Sequence, residues 1–155
     1  MTGRAEVDRL RQVLDHTFSR AAAIGPDPEL QSDFARYLCI LVSGFLENAV
    51  IELLLEHARR HSQPSIQRFI EYRVRRLTNV KCQRLLDVLG TFDPAWRTDL
   101  ENFLVDERKA AVDSVVDLRN SISHGRFVGV TFVRVKEYYK HIQHVLEHIA
   151  DLCAP

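Results

Sequence analysis

Residues 119–125 carry the side chains of this chain that are best suited to acid–base chemistry on a phosphate. They read Arg-Asn-Ser-Ile-Ser-His-Gly and place a guanidinium, a side-chain amide and an imidazole within six residues. The imidazole of His124 can accept or donate a proton near neutral pH. Arg119 keeps its proton throughout that range, so its natural contribution is a fixed positive charge on phosphate oxygens. These groups suit phosphodiester cleavage that proceeds without a metal ion.

The spacing of Arg119 and His124 is by itself a weak signal. In a chain rich in arginine, with seven histidines, the same spacing also arises by chance, and Arg11 and His16 repeat it. Five residues along an ideal helix turn a side chain by about 500°, so Arg119 and His124 would point roughly 140° apart. We therefore expect them to converge only if the helix distorts or ends between them. The serines and the glycine of this segment are typical of a helix end.

Asn120 is placed to orient the imidazole of His124. It lies four residues earlier, so both side chains share one face of a helix, and its amide can fix the orientation or the tautomer of the ring. A purely structural interpretation stays open beside the catalytic one. In that interpretation Arg119 forms a surface ion pair and His124-Gly125 ends a helix, where a histidine interacts favourably with the negative end of the helix dipole.

Helical periodicity runs through nearly the whole chain and must position this motif. A first helix is expected to end near Gly25-Pro26, and Pro28 suits the first turn of a long helix that runs to about His61. The long helix is apolar over most of its circumference, which predicts a central position or a place in a subunit interface. Further helices are expected at 65–76, at 80–89 after an N-cap at Thr78, from Asp93-Pro94 to 105, at 107–123 after a cap at Asp106, and at 132–152 after a cap at Thr131.

The fold class predicted from this pattern is an all-α, single-domain helical bundle of about five to seven helices that spans residues 1–155. One segment allows an alternative: residues 126–135 are rich in β-branched and aromatic residues, so a short hairpin there stays open. The apolar run 38–55 is interrupted by Glu47, Asn48 and Glu52, which indicates a buried helix and no membrane span.

Bulk composition sets limits on the class of protein. Lys plus Arg equals Asp plus Glu at 21 each, so net charge gives no information about partners. The N-terminus alternates in charge and does not resemble a signal peptide. The three cysteines, Cys39, Cys82 and Cys153, are widely spaced and odd in number, which favours a reduced, cytoplasmic protein.

The motif and its context resemble the HEPN superfamily, whose signature is Arg, four to six residues, then His, often within RN-x-I-x-HG. The runs 77–81 and 89–92, Trp96 and the approach 117–119 are similar to the RiboL-PSP-HEPN group of that superfamily. The resemblance covers roughly residues 30–152 by the order of elements, and its specific part is the RN-x-I-x-HG core. Arg126 stands where some toxin branches carry a tyrosine, so regulation through that tyrosine is not implied for this chain.

The resemblance implies an HEPN-like fold, and catalysis by Arg119, Asn120 and His124 without a cofactor or metal. RNA would be cut by its own 2′-hydroxyl, leaving a 2′,3′-cyclic phosphate. One histidine cannot be base and acid in the same step, so a two-fold homodimer that joins two motifs at one phosphate is expected. Family analogy further implies a toxin of a toxin–antitoxin or antiviral defence system, with an antitoxin protein as partner. The alternative is a non-catalytic helical module that binds RNA or a protein.

Several other residues are candidates for secondary roles. Between 57 and 84 basic residues outnumber the one acidic residue, Glu71, so this stretch could follow an RNA backbone or could be a solvated face that exchanges salt bridges with its neighbours. The expected phosphate contacts are Arg73, Arg75, Arg76 and Arg126. Glu47 either faces Arg119 and steers it, as in some HEPN branches, or points to solvent. Histidines 141, 144 and 148 recur at helical spacing but have no evident further ligand, so no metal site is expected there.

Overall fold

The structure is a computed structural model that describes residues 3–154, and within that range it contains seven α-helices and no strand. Residues 1, 2 and 155, which belong to the predicted domain 1–155, lie outside the described residues. The helices are α1 (Gly3–Ala22), α2 (Pro28–His61), α3 (Pro64–Val74), α4 (Cys82–Phe92), α5 (Pro94–Phe103), α6 (Asp106–Ser123) and α7 (Phe132–Cys153). The predicted all-α fold class is confirmed. The alternative hairpin at 126–135 is wrong, because that segment forms a loop and the first turn of α7.

Helix α2 is the centre of the fold. It has 34 residues, a length of about 51 Å, and packs against α1, α3, α6 and α7. The carboxylate of Asp27 caps its first turn by accepting hydrogen bonds from the backbone N–H groups of Glu29 and Leu30. Leu38, Leu46 and Leu54 are fully buried along its length. The expected central position follows from this all-round apolar surface.

The same helix is long and apolar enough to cross a membrane, judged by length and composition alone. In its most apolar window of 18 residues, 67% of the residues are buried by the rest of the fold. This is the burial expected of a core helix, as the interruptions at Glu47, Asn48 and Glu52 predicted.

Helix α6 presents one continuous stripe to the core, and this stripe sets the direction of Arg119. Val112, Val115 and Val116 are fully buried where α6 meets α2 and α7. Arg119 follows Val112, Val115 and Val116 by seven, four and three residues, so it lies on the same face of the helix. The packing of the valines therefore turns Arg119 toward α2.

Two predicted N-caps are wrong. The helix expected at 80–89 with an N-cap at Thr78 begins instead at Cys82, after an irregular segment in which Asn79 has φ 53°. Its first turn is capped from another helix, because the Asp113 carboxylate on α6 accepts a hydrogen bond from the backbone N–H of Cys82 at 2.9 Å. Asp106 was expected to cap α6, but the helix begins at Asp106 itself, and the N-cap residue Val105 supplies no side-chain hydrogen bond.

Two other predicted starts are confirmed. Asp93 accepts a hydrogen bond from the backbone N–H of Ala95 at 2.8 Å at the start of α5. Thr131 Oγ1 accepts one from the backbone N–H of Arg134 at 3.1 Å at the start of α7. Both are local caps of the kind that sequence spacing reveals.

Candidate active site at the end of helix α6

Helix α6 ends in a well-formed C-terminal cap directly at the motif. His124 is the C-cap residue of α6, and Gly125, the next residue, has φ 72°, a left-handed conformation that suits glycine. The N–H of Gly125 donates to the carbonyl of Ile122 at 3.0 Å, and the N–H of Arg126 donates to that of Ser121 at 3.0 Å. These two bonds are the pair that defines a Schellman motif. They fix the point at which the chain leaves the helix, and hence the position of the His124 backbone.

Arg119 forms an ion pair with Glu47 across the contact between α2 and α6. Arg119 Nη2 lies 3.4 Å from Glu47 Oε2, and the two side chains are only 27% and 24% exposed. Of the two alternatives for Glu47, the one in which it faces Arg119 is therefore present in the structure. The pair restricts the guanidinium to the groove between the helices while leaving part of it open to solvent.

His124 does not converge on Arg119 within one chain. The helix continues regularly through Ser123, so it ends at His124 and not between the two residues. The rotation of roughly 140° between them is therefore kept. Among residues 3–154, no hydrogen bond or ion pair joins the Arg119 and His124 side chains, and the His124 side chain is exposed.

Asn120 is half-buried on the last two turns of α6. Its backbone carbonyl accepts the hydrogen bond from the backbone N–H of His124 at 3.1 Å. In the described part of the chain, the Asn120 side chain makes no hydrogen bond to the imidazole, so no contact in the structure corresponds to the orienting role expected for it.

The loop after the motif, residues 125–131, folds back toward α2. The guanidinium of Arg36 on α2 lies 5.5 Å from the ring centroid of Phe127, a cation–π contact, although Phe127 remains 87% exposed. Val130 is buried and anchors the far end of the loop. Arg126, one of the expected phosphate contacts, is exposed at the start of the loop beside His124.

Comparison with known families identifies the fold. The family model described as RiboL-PSP-HEPN matches residues 6–154, nearly the whole chain. The chain belongs to the RiboL-PSP-HEPN family. No curated protein and no solved structure matches it. In this HEPN domain, the Arg-x4-His motif thus lies at the C-terminal end of α6.

The predicted basic residues of the HEPN domain differ in their availability. Arg75 is held by two carboxylates, Glu71 at 2.8 Å and Glu52 at 3.7 Å. Arg76 lies over the ring of Tyr72, with its guanidinium carbon 4.0 Å from the ring centroid. Arg73 is exposed and has no carboxylate partner among residues 3–154. The structure does not bring any of the three arginines into contact with Arg119.

Two of the three histidines of α7 lie beside carboxylates, and these carboxylates differ. His141 lies 3.7 Å from Glu107 and 3.9 Å from Glu137. His148 contacts Asp99 on α5 at 2.5 Å and stacks on Phe103. Sequence reasoning missed Asp99 and Glu107, because they come from α5 and the start of α6. Glu137, four residues before His141 on α7, was readable from helical spacing. Within the described chain, no three side chains of ligand type cluster around one point.

Proposed function

We propose that this HEPN domain is a metal-independent endoribonuclease in which Arg119, Asn120 and His124 form the active site. The observation that carries the proposal is the half-buried ion pair between Arg119 and Glu47, one and a half helical turns from an exposed His124 at a capped helix end. A positive charge that is held in position before substrate binds can stabilise the negative charge that develops on a phosphorane. Family membership supports the same activity.

The chemistry uses the substrate's own 2′-hydroxyl as nucleophile. His124 takes the 2′-proton or protonates the departing 5′-oxygen, and each such proton transfer contributes about 10²–10⁴-fold to the rate. Arg119 places positive charge against the non-bridging oxygens, where negative charge grows in the phosphorane. The P–O5′ bond breaks as the P–O2′ bond forms, giving a 2′,3′-cyclic phosphate and a 5′-hydroxyl end. Asn120 would orient the imidazole once substrate is bound.

A homodimer completes the site in this proposal. One exposed histidine cannot serve as base and acid in the same step, and a two-fold axis near the end of α6 would supply a second one. Exposed apolar side chains next to the motif support such an interface: Phe127 in the loop, and Tyr37 and Ile40 on the stretch of α2 that contacts the loop through Arg36. The rate per chain should then fall on dilution, in step with dissociation measured by sedimentation.

The decisive experiment is RNA cleavage in EDTA by the unmodified chain and by His124→Ala and Arg119→Ala. Both substitutions are expected to abolish cleavage while the helical circular dichroism stays unchanged. The matched control is His16→Ala, since Arg11 and His16 repeat the spacing inside the regular helix α1. It should cleave at the unmodified rate. End-group analysis should find cyclic phosphates, and cleavage that survives in His124→Ala would rule out the proposed site.

A non-catalytic module remains the second candidate. It is favoured by one observation, that the side-chain partner of Arg119 in the structure is Glu47 and not His124. In that case the protein would bind RNA or a protein partner and would cut no RNA at any pH.

The catalytic proposal also predicts a cellular setting, a cytoplasmic toxin held inactive by an antitoxin protein. Expression of the unmodified chain should then arrest growth, and expression of His124→Ala should not.

A further inference from the structure

Helix α3 carries an aromatic and basic surface on its outer side. Phe69 and Tyr72 are 63% and 55% exposed, and α3 packs against α2 through its opposite side, where Val74 is buried. Residues three apart lie on nearly the same face of a helix, so the two rings stand side by side. Large aromatic side chains are seldom left this exposed in adjacent positions unless they contact a partner.

The charge around these rings is positive and uncompensated. The guanidinium of Arg76 lies over the Tyr72 ring at 4.0 Å, and Arg68 and Arg73 are exposed beside them. These three arginines have no carboxylate partner among residues 3–154. The single acidic residue between 57 and 84, Glu71, is occupied by Arg75 at 2.8 Å. A two-fold interface that paired this surface with its own copy would bring these like charges together, whereas a polyanion would neutralise them.

We propose that this outer surface of α3, formed by Arg68, Phe69, Tyr72, Arg73 and Arg76, binds unpaired RNA. Bases stack on the rings of Phe69 and Tyr72, and the arginines contact the phosphates between them. Aromatic rings combined with cationic groups recur in proteins that bind single strands, because every base has a π-face, which in a duplex is covered by the neighbouring stacked bases. The inference rests on the proposed function for its choice of RNA and adds the structural class of the substrate, a single-stranded segment.

Two ion pairs connect the end of α3 and the segment after it to the helices of the candidate active site. After α3 the segment 75–81 runs to α6, where Lys81 Nζ lies 2.9 Å from Asp117 Oδ1. Asp117 precedes Arg119 by two residues, about 3 Å along the helix axis. Arg75, at the end of α3, is also tied to Glu52 on α2, the helix that holds Arg119 through Glu47. The surface is thus attached to the two helices that form the site.

The test measures binding in the His124→Ala background, so that RNA is not consumed. Three labelled oligonucleotides of equal length are compared by fluorescence anisotropy: a single-stranded RNA, the same RNA in a duplex, and an abasic strand that keeps its phosphates. The double variant Phe69→Ala/Tyr72→Ala should bind the single-stranded RNA at least about tenfold more weakly, with little change for the abasic strand. Val13→Ala, which removes a similarly exposed apolar side chain on α1, should change nothing.

A second variant separates stacking from apolar area. Phe69→Leu/Tyr72→Leu keeps the apolar surface without aromatic faces and should lose as much affinity as the alanine variant, whereas Phe69→Trp should keep it. Unchanged binding in the alanine variant, or full affinity in the leucine variant, overturns the inference. A shift of the alanine variant to a smaller species in sedimentation would also overturn it and make α3 an interface between copies. The unmodified chain could cut no RNA while Phe69→Ala/Tyr72→Ala still weakens the binding of single-stranded RNA. In that case the catalytic proposal fails and the RNA-binding surface on α3 stands.

Discussion

The carboxylate of Glu47 and the guanidinium of Arg119 meet across the contact of α2 and α6, with Oε2 and Nη2 3.4 Å apart. Glu47 interrupts the apolar surface of the core helix, and Arg119 extends the valine stripe of α6. Each is placed at the edge of the core by its own helix, and the two together form a half-buried pair. The pair fixes the position of the Arg119 positive charge, which in the proposed function contacts a phosphate.

Glu47→Gln is expected to lower kcat for RNA cleavage about tenfold with little change in KM. Glutamine keeps the size of the side chain but loses the charge that holds the guanidinium, and a misplaced catalytic group reduces rates by such factors. Because both side chains are partly exposed, we expect a loss in the free energy of unfolding of at most about 1 kcal/mol. Steady-state kinetics and urea denaturation measure the two effects.

The matched control for this change is Glu52→Gln. Glu52 lies on the same helix, is 22% exposed, and pairs with Arg75 at 3.7 Å instead of with Arg119. It should keep kcat. Equal rates for both variants, or a faster Glu47→Gln enzyme, would show that Glu47 does not position Arg119.

Gly125→Ala is expected to destabilise the protein by about 1–2 kcal/mol, because φ at this position is 72° and a β-carbon disfavours that conformation. No atom lies within 4 Å of the added methyl group, so the effect comes from the backbone alone. Gly129→Ala is the control, since it has equal space and no left-handed φ. Thermal unfolding of both variants measures the difference. Equal unfolding midpoints for the two variants would contradict the importance of this cap. Because Gly125→Ala should also shift His124, it is expected to lower the rate of RNA cleavage.

The three cysteines are expected to be unreactive in the folded protein. Burial raises the pKa of the thiols of Cys39, Cys82 and Cys153 to about 12, so almost no thiolate is present at pH 8. Iodoacetamide should therefore modify none of them natively and all of them in urea, as read by mass spectrometry. Rapid labelling of one cysteine without denaturant would mean that its surroundings open.

His57 should make stability depend on pH in the mildly acidic range. Desolvation lowers its pKa, the hydrogen bond that it donates to the Cys153 carbonyl opposes this, and the charge of nearby His61 adds to the lowering. The unfolded chain thus takes up this proton at a higher pH than the folded chain. Stability is lost as the pH falls from the ordinary histidine value toward the lowered one.

Urea midpoints at pH 7 and pH 5 test this effect. His57→Gln should lose less stability between the two values than the unmodified chain, and the exposed His16→Gln should behave like the unmodified chain. An identical loss in His57→Gln would assign the acid sensitivity to other groups.

Local sequence chemistry predicted those features of the fold that depend on neighbours in the chain. The proline at the start of α2 and the caps at Asp93 and Thr131 are such features, since cap and helix lie within a few residues. The start of α4 was wrong for the opposite reason. Its cap is the carboxylate of Asp113, 31 residues away, and only the packed fold brings it to Cys82. The left-handed Asn79 that delays the helix has no equivalent signal in the pattern.

The features of the candidate site also divide into those that local sequence predicts and those that depend on the packed fold. The residue types and the helix end at Gly125 were readable from the sequence, and so was the expected rotation between Arg119 and His124. The direction of the Glu47 side chain was not readable. A single acidic residue on an apolar helix looks the same in the sequence whether it faces solvent or an ion-pair partner. Phe69 and Tyr72 were missed because α3 is amphipathic in a way that resembles any half-buried helix. Only their exposure separates them from core residues.

Because α2 is one unbroken rod, Glu47 and Glu52 cannot change their separation, about 7.5 Å along the axis. Each glutamate anchors one arginine, Arg119 from α6 and Arg75 at the end of α3. The helix therefore keeps the distance between these two attachment points constant. In the proposed function, an RNA strand that reached from the outer surface of α3 to Arg119 would therefore span a distance that this helix keeps constant.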